Sequence, residues 1–208
     1  MTLFQPLDPA GTLVGETAVT DIADKGAGKS AMVRAVKTLR TLSGTLVAEA
    51  TETWVLRGAG GFGGARALPG EVLTLLPDRA PDLIMTLPTS VTQAAIYRLS
   101  GDRNPLHIDA DTANRAGFSR PILHGLSTLG VAARAIIHAL CNGNSARLTE
   151  LSARFTAPLY PGAVLKTEIW DNGGGNIAFR CRSVETNDIV VDSGHATLDA
   201  FAAPGATA

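Results

Sequence analysis

The sequence predicts an α+β fold in which an antiparallel sheet wraps around one long helix. Three observations carry this reading. Residues 122 to 140 hold an apolar helical pattern that is hydrophobic nearly all round, the mark of a helix buried on most sides. Four β-type runs follow it, at Leu148 to Phe155, Val164 to Asp171, Asn176 to Glu185 and Ile189 to Leu198. Turn-type segments separate those runs, at Pro158 to Gly162, Asn172 to Gly175 and Asn187-Asp188.

The earlier elements follow in chain order. Short β-type runs occupy Thr17 to Ile22, Ala31 to Leu39 and Leu46 to Leu56, the last with period-two alternation. Asp24 to Lys29 and Ser43-Gly44 read as the turns between them. The run Gly58 to Gly64 is too glycine-rich for a stable element, and Pro69, Pro77 and Pro81 follow it. Leu83 to Leu87 reads as a strand. Thr89 to Ser100 reads as a helix with Thr89 or Ser90 as its N-cap. Asn142-Gly143-Asn144 ends the long helix. These breaks divide the chain into residues 1–64, a linker at 65–82, and a better patterned unit at 83–208.

Bulk composition narrows the function classes. The chain has 208 residues, 45% hydrophobic and 18% charged, with a formal net charge of -1. That balance argues against disorder and against a global field that would attract nucleic acid. Two cysteines, Cys141 and Cys181, do not make a disulfide framework, and reduced thiols are expected. No signal peptide or apolar run of about 18 residues is read, and the final Gly-Ala-Thr-Ala is not a peroxisomal address. The expectation is a soluble cytoplasmic protein with no membrane partner.

Ala23 to Ser30 satisfies a loose phosphate-loop pattern, but the flanking strand and helix that such a loop needs are absent from the pattern. A hairpin turn bracketed by lysines is the better reading. The segment Tyr97 to Asp109 is richer. Asp102, Asn104 and His107 place an acid, an amide and an imidazole within six residues, between Gly101 and Pro105. An acid and a histidine held close can share one water and move its proton. On the residues alone, a turn capped by Asp102 with His107 at the surface is equally open. His107, Asp109, Asp111 and His124 are of metal-ligating type, yet no cysteine or second clustered histidine supports a zinc site. Asp109 or Asp111 better fits the cap of a short helix over Thr112 to Ala116. Pro121 sits where the long helix would start, and the N–H of Gly125 in its first turn could bind a developing oxyanion. Gly125 could equally serve close packing of helix on sheet.

Tyr97 to Asp109 together with Arg120 to Gly130 resemble the hydratase-2 motif of MaoC-like (R)-specific enoyl-CoA hydratases. The matching residues are Gly101-Asp102, Asn104-Pro105-Leu106-His107 and Asp109, then Phe118 and Pro121-Ile122-Leu123-His124-Gly125. Ala153 to Gly162 is similar to the family's strand–turn segment. The resemblance implies a hot-dog fold, with 83–208 as the catalytic domain. It implies addition of water across the 2,3-double bond of a trans-2-enoyl-CoA in fatty-acid metabolism, or the reverse dehydration. Asp102 and His107 would activate the water, Asn104 would hold the site, and the N–H of Gly125 would polarise the thioester carbonyl. No metal or redox cofactor is implied. Arg98, Arg120, Arg134 and Arg154 are candidates for the CoA phosphates.

Residues 1–64 are similar to the end of a non-catalytic first repeat, so the whole would be a double hot-dog with an incomplete first repeat. The first repeat's initial strand and central helix are expected to be missing. An apolar sheet face without its helix promotes association, and a homodimer is therefore expected. The alternative function is a non-catalytic acyl-CoA-binding or assembly subunit of the same fold.

Overall fold

The computed structural model describes residues 1–70 and 73–198; the Gly-Ala-Thr-Ala terminus lies outside them. The chain forms two compact units that divide between Leu73 and Thr74.

In the first unit, β1 (Thr2–Leu3), β2 (Leu13–Asp24), β3 (Ala31–Thr41) and β4 (Leu46–Leu56) form an antiparallel sheet in the order β2-β3-β4-β1. β1 pairs Thr2 with Glu49 and escaped the sequence reading because two residues show no period. Gly44 turns the β3–β4 hairpin with a φ of 90°. No helix occurs in this unit among the described residues. Its sheet leaves large apolar side chains open, including Val14, Val19 and Ile22 on β2 and Trp54, Val55 and Leu56 on β4.

The Ala23–Ser30 segment is the β2–β3 hairpin turn, closed by Lys29 N–H donating to Gly26 O at 3.0 Å. Asp24 at its base is only 3% exposed, and its carboxylate gathers the glycine run 37 residues on. Oδ1 accepts from Gly26 N–H at 2.7 Å and Gly61 N–H at 2.8 Å, and Oδ2 accepts from Gly63 N–H at 2.5 Å. These amides, that of Gly61 first, hold the carboxyl below its ordinary range. The glycine run is thus a docked loop, with Asp24 N–H also donating to Ala65 O at 2.8 Å.

In the second unit, β5 (Leu83–Pro88), β6 (Leu148–Phe155), β7 (Val164–Asp171), β8 (Asn176–Ser183) and β9 (Ile189–Leu198) pair antiparallel in the order β6-β9-β8-β7-β5. Three helices stand between β5 and β6: α1 (Gln93–Tyr97), α2 (Ala110–Arg115) and α3 (Gly125–Leu140). α3 packs on β5, β6 and β7. Val131, Ala132 and Ile136 of α3 join Leu165, Ile169, Ile177, Phe179, Val190 and Val191 in one buried core. Burial of each large apolar side chain stabilises the unit by about 1.5–3 kcal/mol. A long helix packed on an antiparallel sheet is the hot-dog arrangement that the sequence resemblance implies.

Three expectations are corrected. α3 starts at Gly125, four residues after Pro121, because Leu123 N–H donates to Leu159 O at 2.7 Å and holds the preceding segment extended. α3 is not covered all round: Leu126, Gly130, Arg134 and His138, spaced by one turn, form an exposed stripe. The helix at 89–100 is shorter, with α1 running directly into a 3-10 turn at Arg98–Ser100. Of the two proposed caps, Thr89 is buried and donates through Oγ1 to Ala163 O at 2.7 Å, whereas Ser90 Oγ accepts from Thr92 N–H at 3.2 Å and Ser90 N–H donates to Gln93 Oε1 at 3.1 Å, so Ser90 holds the start of the helix. The short helix after His107 is present, and Asp109 caps it by accepting from Thr112 N–H at 2.6 Å.

At Gly60 a Cβ would stand 2.5 Å from Gly26 O and 2.8 Å from Asp24 Oδ1; the first is main chain, and the second is held by the amides of Gly26 and Gly61. Gly60→Ala is expected to destabilise the first unit by about 1–3 kcal/mol. Hydrogen exchange should then quicken at the amides of Gly61 and Gly63. Unchanged exchange at both would refute the docked loop.

Candidate active site

The loop from Arg98 to Ile108 builds the site. Gly101 reverses the chain after the 3-10 turn with a φ of 115°, a conformation that side chains resist. Arg98 Nη1 donates to Arg103 O at 3.0 Å and clips the loop from beneath. Asp102 Oδ1 accepts from Asn104 N–H at 3.1 Å. Asn104 Oδ1 accepts from Leu106 N–H at 3.1 Å, capping a second 3-10 turn, Pro105–His107. Proline at its first position suits a turn whose leading N–H has no partner. Asn104 therefore acts on His107 through the backbone that carries it.

His107 is half-buried, and its Nδ1 lies 2.8 Å from Ile122 O. A backbone carbonyl only accepts, so Nδ1 carries the hydrogen and Nε2 of the neutral ring keeps its lone pair. The Asp102 side chain is exposed and makes no direct bond to His107. A carboxylate oxygen of Asp102 and ring nitrogens of His107 and His124 nevertheless lie within 4.8 Å of one another. That separation suits a single bridging water, which would sit about 2.8 Å from each group.

His124 is the residue that the sequence reading weighed only as a metal ligand. It is 1% exposed and stacks on His107, with ring centroids 3.7 Å apart and 26° between planes. Tyr97 covers it at 4.7 Å. Its Nε2 lies 3.3 Å from Asp102 O, again an acceptor, so the proton sits on Nε2. Its Nδ1 is buried without a partner. Burial first, and then the neighbouring His107, hold His124 below the usual histidine value; Asp102 opposes that shift and Arg98 adds to it. The Tyr97 hydroxyl is pushed up by burial and by the charge of Asp102.

The stack argues against a cation held by Asp102, His107 and His124. A zinc ion needs ring lone pairs that converge at about 2.0–2.1 Å. Stacked rings keep their lone pairs in nearly parallel planes that do not meet at such a distance, and one nitrogen of each ring already donates to a carbonyl. Asp109 is committed to its helix cap, and Asp111 lies exposed in the first turn of α2.

Gly125 opens α3, and its N–H has no acceptor among the described residues. A Cβ there would meet the Phe155 ring at 3.3 Å, so close packing also requires the glycine. A groove of about 260 Å³ runs beside Tyr97 along Leu126, Gly130, Val131 and Arg134, with Gln93 and Ser127 polar within it. Of the other arginines, Arg120 lies 4.7 Å over the Tyr160 ring and Arg154 is exposed on β6 opposite Asp192.

Residues 73–193 match the family model described as MaoC like domain. The chain is 51% identical over 186 residues to 3-hydroxyacyl-thioester dehydratase Y of Mycobacterium tuberculosis, covering 86% of this chain and 62% of that protein. It is 37% identical over 200 residues to the Dictyostelium discoideum protein named probable enoyl-CoA hydratase 2, covering 96% of this chain and 68% of that one. Among solved structures, a MaoC-like dehydratase from Phytophthora capsici matches with a TM-score of 0.87 at 37% identity, over 97% of this chain and 70% of that one. The chain thus spans less than two thirds of the Mycobacterium relative's length.

The depressed His124 predicts an acid-sensitive fold. The native state binds fewer protons at this ring than the unfolded chain, so stability rises with pH across the window. The contribution is complete above the unfolded value of 6.5 and is lost as pH falls below it toward the folded value. Melting temperature should drop on acidification below about pH 6.5, and His124→Phe should show a shallower drop. Parallel curves for the two proteins would exclude this origin.

Proposed function

The chain belongs to the family of MaoC-like domains, and from that premise we propose that it is an (R)-specific 2-enoyl-CoA hydratase acting reversibly as a 3-hydroxyacyl-CoA dehydratase in fatty-acid metabolism. The observation that carries the reading is that a ring nitrogen of His107 lies within 4.8 Å of an Asp102 carboxylate oxygen, while the Ile122 carbonyl holds Nδ1 and leaves Nε2 as the basic nitrogen.

Hydration follows from these groups. A water between them gives one proton to His107 Nε2 while Asp102 accepts its other hydrogen and orients it. The water oxygen adds to C3 of the enoyl group as the 2,3 π-bond opens toward C2. Negative charge spreads onto the thioester oxygen, where the N–H of Gly125 donates to it. The proton then returns from the acid–histidine pair to C2. Water is consumed and no redox change occurs. Dehydration is the same path in reverse.

The groove along Leu126 and Val131, which Tyr97 also lines, supports an acyl site on the face of the helix that Gly125 opens, since both are apolar side chains. Arg98, Arg120 and Arg154 remain candidates for the CoA phosphates, although Arg98 already holds the Arg103 carbonyl. The open apolar side chains of the first unit support a homodimer. Two buried free cysteines support a reducing compartment such as the cytoplasm. No helix among the described residues is long and apolar enough to cross a membrane.

The test is loss of the enoyl absorbance when the protein meets crotonyl-CoA. Asp102→Asn and His107→Ala are each expected to lower kcat by about 10²–10⁴-fold. A folded wild-type protein that binds acyl-CoA but hydrates neither short nor medium chains would overturn the reading in favour of a non-catalytic binding subunit.

A further inference from the structure

We propose that His124 is a positioning residue whose single buried ring sets the geometry of both Asp102 and His107. The proposal rests on the hydratase reading above. Asp102 and His107 both sit on a loop segment that is largely open to solvent. Each is tied to His124 by a different contact. The face of the ring stacks on His107 at 3.7 Å, and the edge donates through Nε2–H to Asp102 O at 3.3 Å. His124 is itself immobilised, being 1% exposed, covered by Tyr97 at 4.7 Å, and placed as the residue just before α3.

Two features separate this role from simple core filling. Nδ1 is buried without a donor, a cost that a phenylalanine of similar shape would not carry. The imidazole is therefore not explained by packing alone, and its Nε2–H to the loop carbonyl supplies the reason. The ring plane of His107 also has two restraints that act together. The Ile122 carbonyl fixes one nitrogen, while the stack limits rotation and tilt. The bare Nε2 is thereby aimed, and reacting groups misplaced by about 1 Å can lose about 10²-fold in rate.

The experiment compares wild type with His124→Ala, His124→Phe and His124→Asn, using crotonyl-CoA and the NMR resonances of the His107 ring. The wild type should show His107 ring protons moved upfield by the ring above them. His124→Ala should lose that shift and lower kcat about 10–100-fold, with KM within about twofold. His124→Phe should keep the ring shift, and His124→Asn should keep a donor but lose the shift, each with an intermediate kcat. If the alanine variant does not fold, the phenylalanine and asparagine variants decide on the same readouts. An active wild type whose folded variants keep wild-type kcat overturns this proposal alone. So does a KM that rises at constant kcat, or a His107 resonance unmoved by loss of the ring. A wild type with no hydration overturns the hydratase reading and this proposal with it.

Discussion

Burial of α3 against the five-stranded sheet is the constraint on which the candidate site depends. Once Ala132 and Ile136 enter the core, the segment before the helix has little freedom. Leu123 is drawn to the Leu159 carbonyl in the β6–β7 connection, and the chain arrives at Gly125 extended rather than coiled. That path presents the Ile122 carbonyl to His107 and the His124 ring to the space beneath it. The chemistry at an exposed loop is thus referred to the buried core of the unit, which is the general way that loops become precise.

The strands of the second unit were legible because their periodicity is local. Leu148–Phe155, Val164–Asp171 and Ile189–Leu198 have the bounds expected from apolar alternation and turn residues. The acid–amide–imidazole loop was legible as a cluster, as was the Asp109 cap. What escaped depends on partners distant in sequence. Pro121 suggested a helix start, but pairing with Leu159 postponed it. The apolar count along α3 suggested cover on every side, although Gly130 and Ala residues add hydropathy without needing burial. His124 looked like a spare ligand, because stacking between positions 17 residues apart has no signature in the chain. A histidine just before a glycine at a helix start was the one available hint.

The glycine run shows the same limit from the other side. Its composition suggested only looseness, and no regular element forms there. Its amides nevertheless close around Asp24, an acid that reads as an ordinary turn residue. Glycine is needed because the backbone must approach a carboxylate and a neighbouring carbonyl closely, most clearly at Gly60.

Both histidines of the candidate site owe their hydrogen placement to main-chain oxygens, those of Ile122 and Asp102. Main-chain atoms are shared by every amino acid. Drift at position 122 could therefore alter bulk or polarity without exchanging which nitrogen is bare. The proton pattern is inherited through the path of the chain, not through the identity of a neighbour. A designer who keeps this path can recolour the groove for other acyl groups while leaving the acid–base wiring in place.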